Sequence, residues 1–185
     1  MRNTHKTHSS RGFSLVEVMV AVLVISIGLL GIAKMQALAL SSTGNARLRA
    51  LVSLEAASLA SAIRANRTYW AGSAVAGTDL VVKTTGANIS SSSDGTLTAV
   101  QDCSYGGTNA PCATGPLAAY DVQQWAQQIN TLIPGVISII DCTLPAVGTP
   151  VTCTIQINWT ENEVAVNAQA TGAMAVPQYT LYVEP

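Results

Sequence analysis

Few side chains in this chain have the type and spacing for chemistry, and they sort quickly. His5 and His8 are the only histidines, both in the basic N-terminal stretch. An imidazole base or a histidine-held metal would have to use them. Beyond Lys6 in that same stretch, a serine–lysine pair has only Lys34, inside or beside an apolar run, and Lys83. Asp121, Asp141, Glu161 and Glu163 supply carboxylates, but nothing in their spacing suggests a glycosidase-type pair. Asp121, on a helical segment, reads as a solvent-facing or capping residue. Cys103, Cys112, Cys142 and Cys153 include no C-x-x-C spacing, which argues against a zinc or dithiol redox centre. What remains is Glu17, the single charged residue between Phe13 and Ala33.

That run sets the broad class. It holds 21 residues, close to the ~20 that carry a helix across a bilayer. Arg2, Lys6 and Arg11 precede it, so the N-terminal side is expected in the cytoplasm. An ordinary secretory signal has an apolar core of only ~7–15 residues, and here Lys34 and Met35 continue the helical pattern. Hydrophobic residues make up 49% of the chain and charged residues 10%, against ~25% charged in a typical soluble domain. A plain uncleaved anchor accounts for that composition but not for Glu17. A carboxylate in hydrocarbon costs roughly 2.5–3.5 kcal/mol on insertion scales, so such groups have a partner or a purpose. Arg11 lies six residues back, off the three- and four-residue spacings that share a helix face. A cut between Gly12 and Phe13 would instead create an ammonium four residues from Glu17, and a neighbouring copy could offer its own.

The stretch "RGFSLVEVMVAVLVISIGLLG" resembles the class III signal peptide of type IV prepilins and type II secretion pseudopilins. The resemblance implies a leader of residues 1–12, removed by a prepilin peptidase after Gly12, and N-methylation of Phe13. It also implies that Glu17 pairs with the terminal amine of an adjacent subunit during assembly. With the leader gone the mature chain has no histidine, and no catalytic role, cofactor or metal is expected.

The elements follow from periodicity. No proline occurs before Pro111, and residues 34–66 are rich in helix formers. A helix from Ser14 to Asn66 would run roughly 80 Å at ~1.5 Å per residue, with residues 13–35 in the membrane. Leu48, Val52, Leu59 and Ile63 share one face, while Arg47, Arg49, Glu55 and Arg64 lie off it. Gly28, Gly31 and Gly44 are points where the helix could melt or pack closely. A head of residues 67–185 follows. "AGSAVAGTDL" and "GANISSSSDG" read as loops around a short strand near Leu80–Thr84, with Ser90–Ser93 a solvated loop. "TLTAVQD" reads as another short strand. "TGPLAAYDVQQWAQQINTLIPG" predicts a second helix, with Pro116 in its first turn and Ala118, Val122, Trp125, Ile129 and Leu132 on one face. In "VTCTIQINWT" apolar and polar residues alternate, the mark of a strand with one buried face. "VISIIDC", "VAVNA" and "YTLYVE" complete an expected antiparallel meander. The layout is α+β, a sheet packed on a long helix.

An N-in anchor places the cysteines outside the cytoplasm, where disulfides persist. Of three possible pairings, Cys103–Cys112 with Cys142–Cys153 is favoured, because a hairpin of "VISIIDC" and "VTCTIQINW" sets Ile140 opposite Ile155 and the second pair face to face. Charge is unevenly spread. Residues 13–67 carry Lys34, Arg47, Arg49, Arg64 and Arg67 against Glu17 and Glu55, a balance of +3. Residues 68–185 carry Lys83 against Asp79, Asp94, Asp102, Asp121, Asp141, Glu161, Glu163 and Glu184, a balance of −7. An acidic head suits solubility, or contact with basic helix segments of neighbouring subunits, and no nucleic acid is expected.

Beyond the N-terminal motif, "SIGLLGIAKMQ", "IRANR", "LAAYDVQQWAQQINTLIPG" and "TIQINWTEN" resemble the PilV group of minor pilins, the type IV pilus modification proteins. This implies a type IV pilin-like fold and a subunit of the minor pilin complex that primes pilus assembly. Expected partners are other minor pilins, the major pilin, the prepilin peptidase, the inner-membrane assembly platform, and lipid through residues 13–35. The expected location is the inner membrane, then the pilus at the cell surface. A type II secretion pseudopilin and an uncleaved, membrane-anchored binding domain are the alternatives.

Overall fold

A computed structural model of the chain describes residues 12–75, 80–100, 102–104, 106–107, 111–143, 149–162 and 174–185. Two compact units, Met1–Ser42 and Thr43–Pro185, divide the chain, and helix α1 (Leu15–Ala65) contributes residues to both. Within the first unit the helix residues from Leu15 to Ala37 are exposed all round, apolar ones included. The helix is long and apolar enough to cross a membrane. Gly28, Gly31 and Gly44 are helical, with no other group within 4 Å of where a Cβ would stand.

The second unit is an α+β head. Helix α2 (Arg67–Val75) follows α1 after a one-residue break at Asn66, whose side-chain amide donates to the Thr114 carbonyl at 2.7 Å. Strands β1 (Leu80–Thr85) and β2 (Asn88–Ser92) form a hairpin. Helix α3 (Thr114–Leu132) then leads into β3 (Ile137–Thr143), β4 (Thr152–Asn158), the short pair β5 (Glu161–Asn162) and β6 (Met174–Ala175), and β7 (Gln178–Val183). Five strands form an antiparallel sheet in the order β2-β1-β3-β4-β7.

Burial follows the pleat. Leu80, Val82 and Thr84 of β1, Ser138, Ile140 and Cys142 of β3, and Cys153, Ile155 and Ile157 of β4 turn inward, while their neighbours are more exposed. On that face lie the buried stripe of α1, Val52, Ala56, Leu59, Ala60 and Ile63, and the buried face of α3, Ala118, Ala119, Val122, Trp125, Ala126 and Ile129, all in one hydrophobic cluster. Thr84 and Ser138 bury hydroxyls among them but bond to each other, so neither is left without a partner. Asn130 organises the corner where α3 ends. Its Oδ1 accepts from the Gly135 amide at 3.0 Å and would meet a Cβ on Gly86 at 3.2 Å. Both glycines have positive φ, and the Gly86 amide donates to the Val136 carbonyl.

Five local expectations need correction. Ser90–Ser92 lies in β2, an edge strand whose mostly exposed residues give it no alternating apolar signal. "TLTAVQD" does not form a strand over its described part. Gly95–Thr98 is a 3₁₀ turn, because Asp94 caps it by accepting from the Thr96 amide. "AGSAV" belongs to α2, extending the helical region beyond the one short helix expected in the head. Leu132 is 42% exposed, since α3 ends there and the chain turns at Pro134–Gly135. Glu55 does not lie off the apolar face of α1: seven residues after Leu48 and four before Leu59, it stands on that face and is buried, with α3 packed over it. "VAVNA" lies outside the described residues.

Two substitutions test this frame in chemical unfolding of the detergent-solubilised chain. Gly86→Ala forces a side chain at φ +58°, costing about 1–2 kcal/mol from the left-handed backbone alone. Ile155→Ala, at the centre of the sheet and fully buried, costs about 2–5 kcal/mol.

Candidate assembly site

Ser14 opens α1. Its carbonyl accepts from the amides of Glu17 at 3.0 Å and Val18 at 3.3 Å, which places Glu17 in the first turn. A carboxylate there sits at the positive end of the helix dipole, an effect of about 0.3–1 kcal/mol where solvent screens it. Gly12 and Phe13 precede the helix without regular structure, and Phe13 is 82% exposed. Glu17 forms no ion pair among the described residues. The three sequence-marked positions therefore lie together at one helix end: Gly12 at the start, Phe13 exposed beside it, and a carboxylate four residues on.

The four cysteines are joined as Cys103–Cys112 and Cys142–Cys153. In the β3–β4 ladder Ile140 stands opposite Ile155 and Cys142 opposite Cys153. Asp102 organises the first loop by accepting from the amide and hydroxyl of Ser104.

Two polar links in the head carry no local signal in the sequence. The first joins α1 to β5. Glu161, 1% exposed, receives the guanidinium of Arg49 in a two-point contact, Nε to Oε1 at 3.1 Å and Nη2 to Oε2 at 2.9 Å. The indole N–H of Trp159 donates to the same Oε1 at 2.9 Å. The Arg49 contact, with help from Trp159, holds the Glu161 carboxyl below its ordinary value against the opposing effect of burial. The second link joins α1 to α3. Trp125 donates its indole N–H to the Glu55 carbonyl at 2.9 Å, and Gln128 donates its amide to Glu55 Oε1 at 3.0 Å. Tyr69 adds a smaller tie from α2, its hydroxyl donating to Asp94 Oδ2 at 2.6 Å. Burial raises the Asp94 pKa, but the hydrogen bonds from Thr96 and Tyr69 outweigh it and the net shift is downward. Asp121 is half-buried rather than solvent-facing, and burial raises its pKa.

Among the described residues no group of three metal-ligating side chains converges. Glu161 is already engaged within the chain, and Glu55 is held between helices.

Glu161 and Asp121 act on acid stability in opposite senses. Glu161 has a folded pKa below its unfolded one. Its stabilisation is present above the ordinary carboxylate value near 4.5 and is lost as pH falls through the lower folded value. Glu161→Ala should cost about 1–3 kcal/mol at pH 7, mostly from the stranded buried Trp159 N–H, since Arg49 is largely exposed and its ion pair is screened. The variant's stability should also fall less steeply between pH 5 and 3, in urea titrations at about those values. Asp121 has a folded pKa above its unfolded one, so ionisation costs stability, and the cost disappears as pH falls through the raised value. Asp121→Asn should therefore stabilise the chain at pH 7 by up to about 1 kcal/mol, with the gain fading in acid.

Residues 7–33 match the model of the prokaryotic N-terminal methylation motif. No curated protein and no solved structure matches the chain significantly. The motif, followed by a helix apolar enough to span a bilayer, points to membrane anchoring and supports a type IV pilin-like, structural protein.

Proposed function

We propose that the chain is a minor pilin of the type IV pilus, of the PilV group. A prepilin peptidase removes residues 1–12, Phe13 is N-methylated, and the apolar part of α1 holds the subunit in the inner membrane until it enters the pilus. There it acts with other minor pilins and the major pilin, on the inner-membrane assembly platform, to prime the fibre and support twitching motility. The observation that carries this reading is Glu17, a carboxylate without an ion-pair partner among the described residues, in the first turn of an exposed apolar helix. Its cost in lipid is offset when the terminal ammonium of an adjacent mature subunit reaches it.

The decisive experiment is Glu17→Ala in cells with an active peptidase. The variant should insert at least as well as the parent, because a charge has been removed. It should still be cut at Gly12–Phe13, so N-terminal sequencing begins at Phe13. It should accumulate in the inner membrane and fall at least tenfold in sheared pili. Glu17→Asp should be intermediate, keeping the charge with a shorter reach. Recovery of the alanine variant in sheared pili at the parental level, with equal expression, would refute the assembly role. A chain that is never cut would mark the uncleaved anchor instead. Deletion that abolishes exoprotein secretion and spares twitching would mark a pseudopilin.

A further inference from the structure

A groove of about 180 Å³ runs along the seam between α1 and α3, lined by Ser58 and Leu59 of α1 and by Asp121, Gln124, Trp125 and Gln128 of α3. One turn before Ser58, Glu55 is only 7% exposed. Its Oε1 accepts from Gln128, which lines the groove, while its buried Oε2 accepts no hydrogen bond. Such an oxygen is costly unless a donor reaches it. Asp121 lies seven residues before Gln128 on α3, about 10 Å along the axis at ~1.5 Å per residue. It makes no hydrogen bond or ion pair among the described residues, and burial disfavours its charge. The groove is therefore lined by one carboxylate, Asp121, with unpaired side-chain amide capacity at Gln124 beside it and Leu59 and Trp125 as its apolar lining; Glu55 lies behind that lining, tied to it through Gln128.

We propose that this groove is a docking site for an arginine side chain presented by a helix of the neighbouring subunit. The inference rests on the assembly role proposed above. A guanidinium offers a fork of donors suited to a carboxylate and to amide oxygens. Its methylene stem can lie on Leu59 and the Trp125 ring while the head reaches the acidic end. A small divalent ion fits poorly, since it takes six or more oxygen ligands and no group of three metal-ligating side chains is present among the described residues. The complementary groups are of a kind this chain itself displays. Arg47 and Arg64 stand exposed on α1 with no ion pair among the described residues. A pilin-type neighbour with such a helix would set one exposed arginine against Asp121.

The test uses the full-length chain in piliated cells, with the photo-crosslinking residue benzoylphenylalanine in place of Ser58 at the groove edge. The expected product joins Ser58's position to a peptide of another subunit that contains an arginine. Asp121→Lys should lower the yield at least tenfold, with cleavage after Gly12 and the melting temperature of the extracted protein retained. Should that variant fold poorly, Gln124→Lys, on an exposed turn, should give the same loss. Reversing the mapped arginine to aspartate should also lower the yield, and combining it with Asp121→Lys should restore it. A mapped peptide without a basic residue, a yield unchanged by both lysine variants, or no restoration by the double reversal overturns the proposal. If the parent chain is found in sheared pili but gives no cross-link, the groove proposal falls alone. If the parent chain is absent from sheared pili, the assembly role falls with it.

Discussion

The head depends on one shared core, to which the buried stripe of α1, the buried face of α3 and the inner face of the sheet all contribute. Ala56 and Ala60 on one helix and Ala118, Ala119 and Ala126 on the other are buried with almost no side-chain volume of their own. Larger groups, Leu59, Ile63, Val122 and Ile129, supply most of the volume on the helical side of the core. The sheet then closes the other side with Val82, Ile140, Ile155 and Ile157. A layer of this kind cannot be assembled piecemeal. The α1 stripe, α3 and the strands each leave an apolar face uncovered without the others.

Polar groups decide how these layers align. Trp125 reaches the Glu55 carbonyl, Gln128 reaches the Glu55 carboxylate, and Arg49 with Trp159 encloses Glu161. Apart from the local Trp159 bond, each spans elements far apart in the chain; Arg49 and Glu161 are separated by 112 residues. Apolar contacts tolerate sliding, whereas a buried carboxylate with directional partners does not. In this head the hydrophobic cluster supplies cohesion and these few bonds supply the register of α1 against α3 and β5.

The parts visible in the sequence are those with a regular period or a covalent constraint. Alternation in β4 marked its buried face, the three- and four-residue spacing in α3 marked its inner face, and the hairpin register set Cys142 against Cys153. The N-terminal motif stood out because a lone carboxylate in an apolar run has few explanations. What stayed hidden was decided by distant partners. Glu55 stands seven residues after Leu48 and four before Leu59, on the apolar stripe of α1 itself, so its burial follows the helical spacing; what stayed hidden was the set of partners on α3 that hold it. β2 is composed largely of serine on an exposed edge, so pairing with β1 rather than its composition makes it a strand. The 3₁₀ turn at Gly95–Thr98 was set by a single aspartate cap, which outweighed the strand-like look of Thr96, Leu97 and Thr98.

The bridge between Cys142 and Cys153 has an evolutionary corollary. It joins two residues that already face each other across the β3–β4 ladder. A strand that slips by one position would turn its core face to solvent, and a covalent tie at the end of the ladder forbids that slip. The connecting segment between the cysteines is thereby relieved of any duty to hold the strands in step. Its length and composition can drift between related chains with little penalty to the sheet. That makes it a place where lineages can try new surface chemistry while the scaffold beneath stays the same.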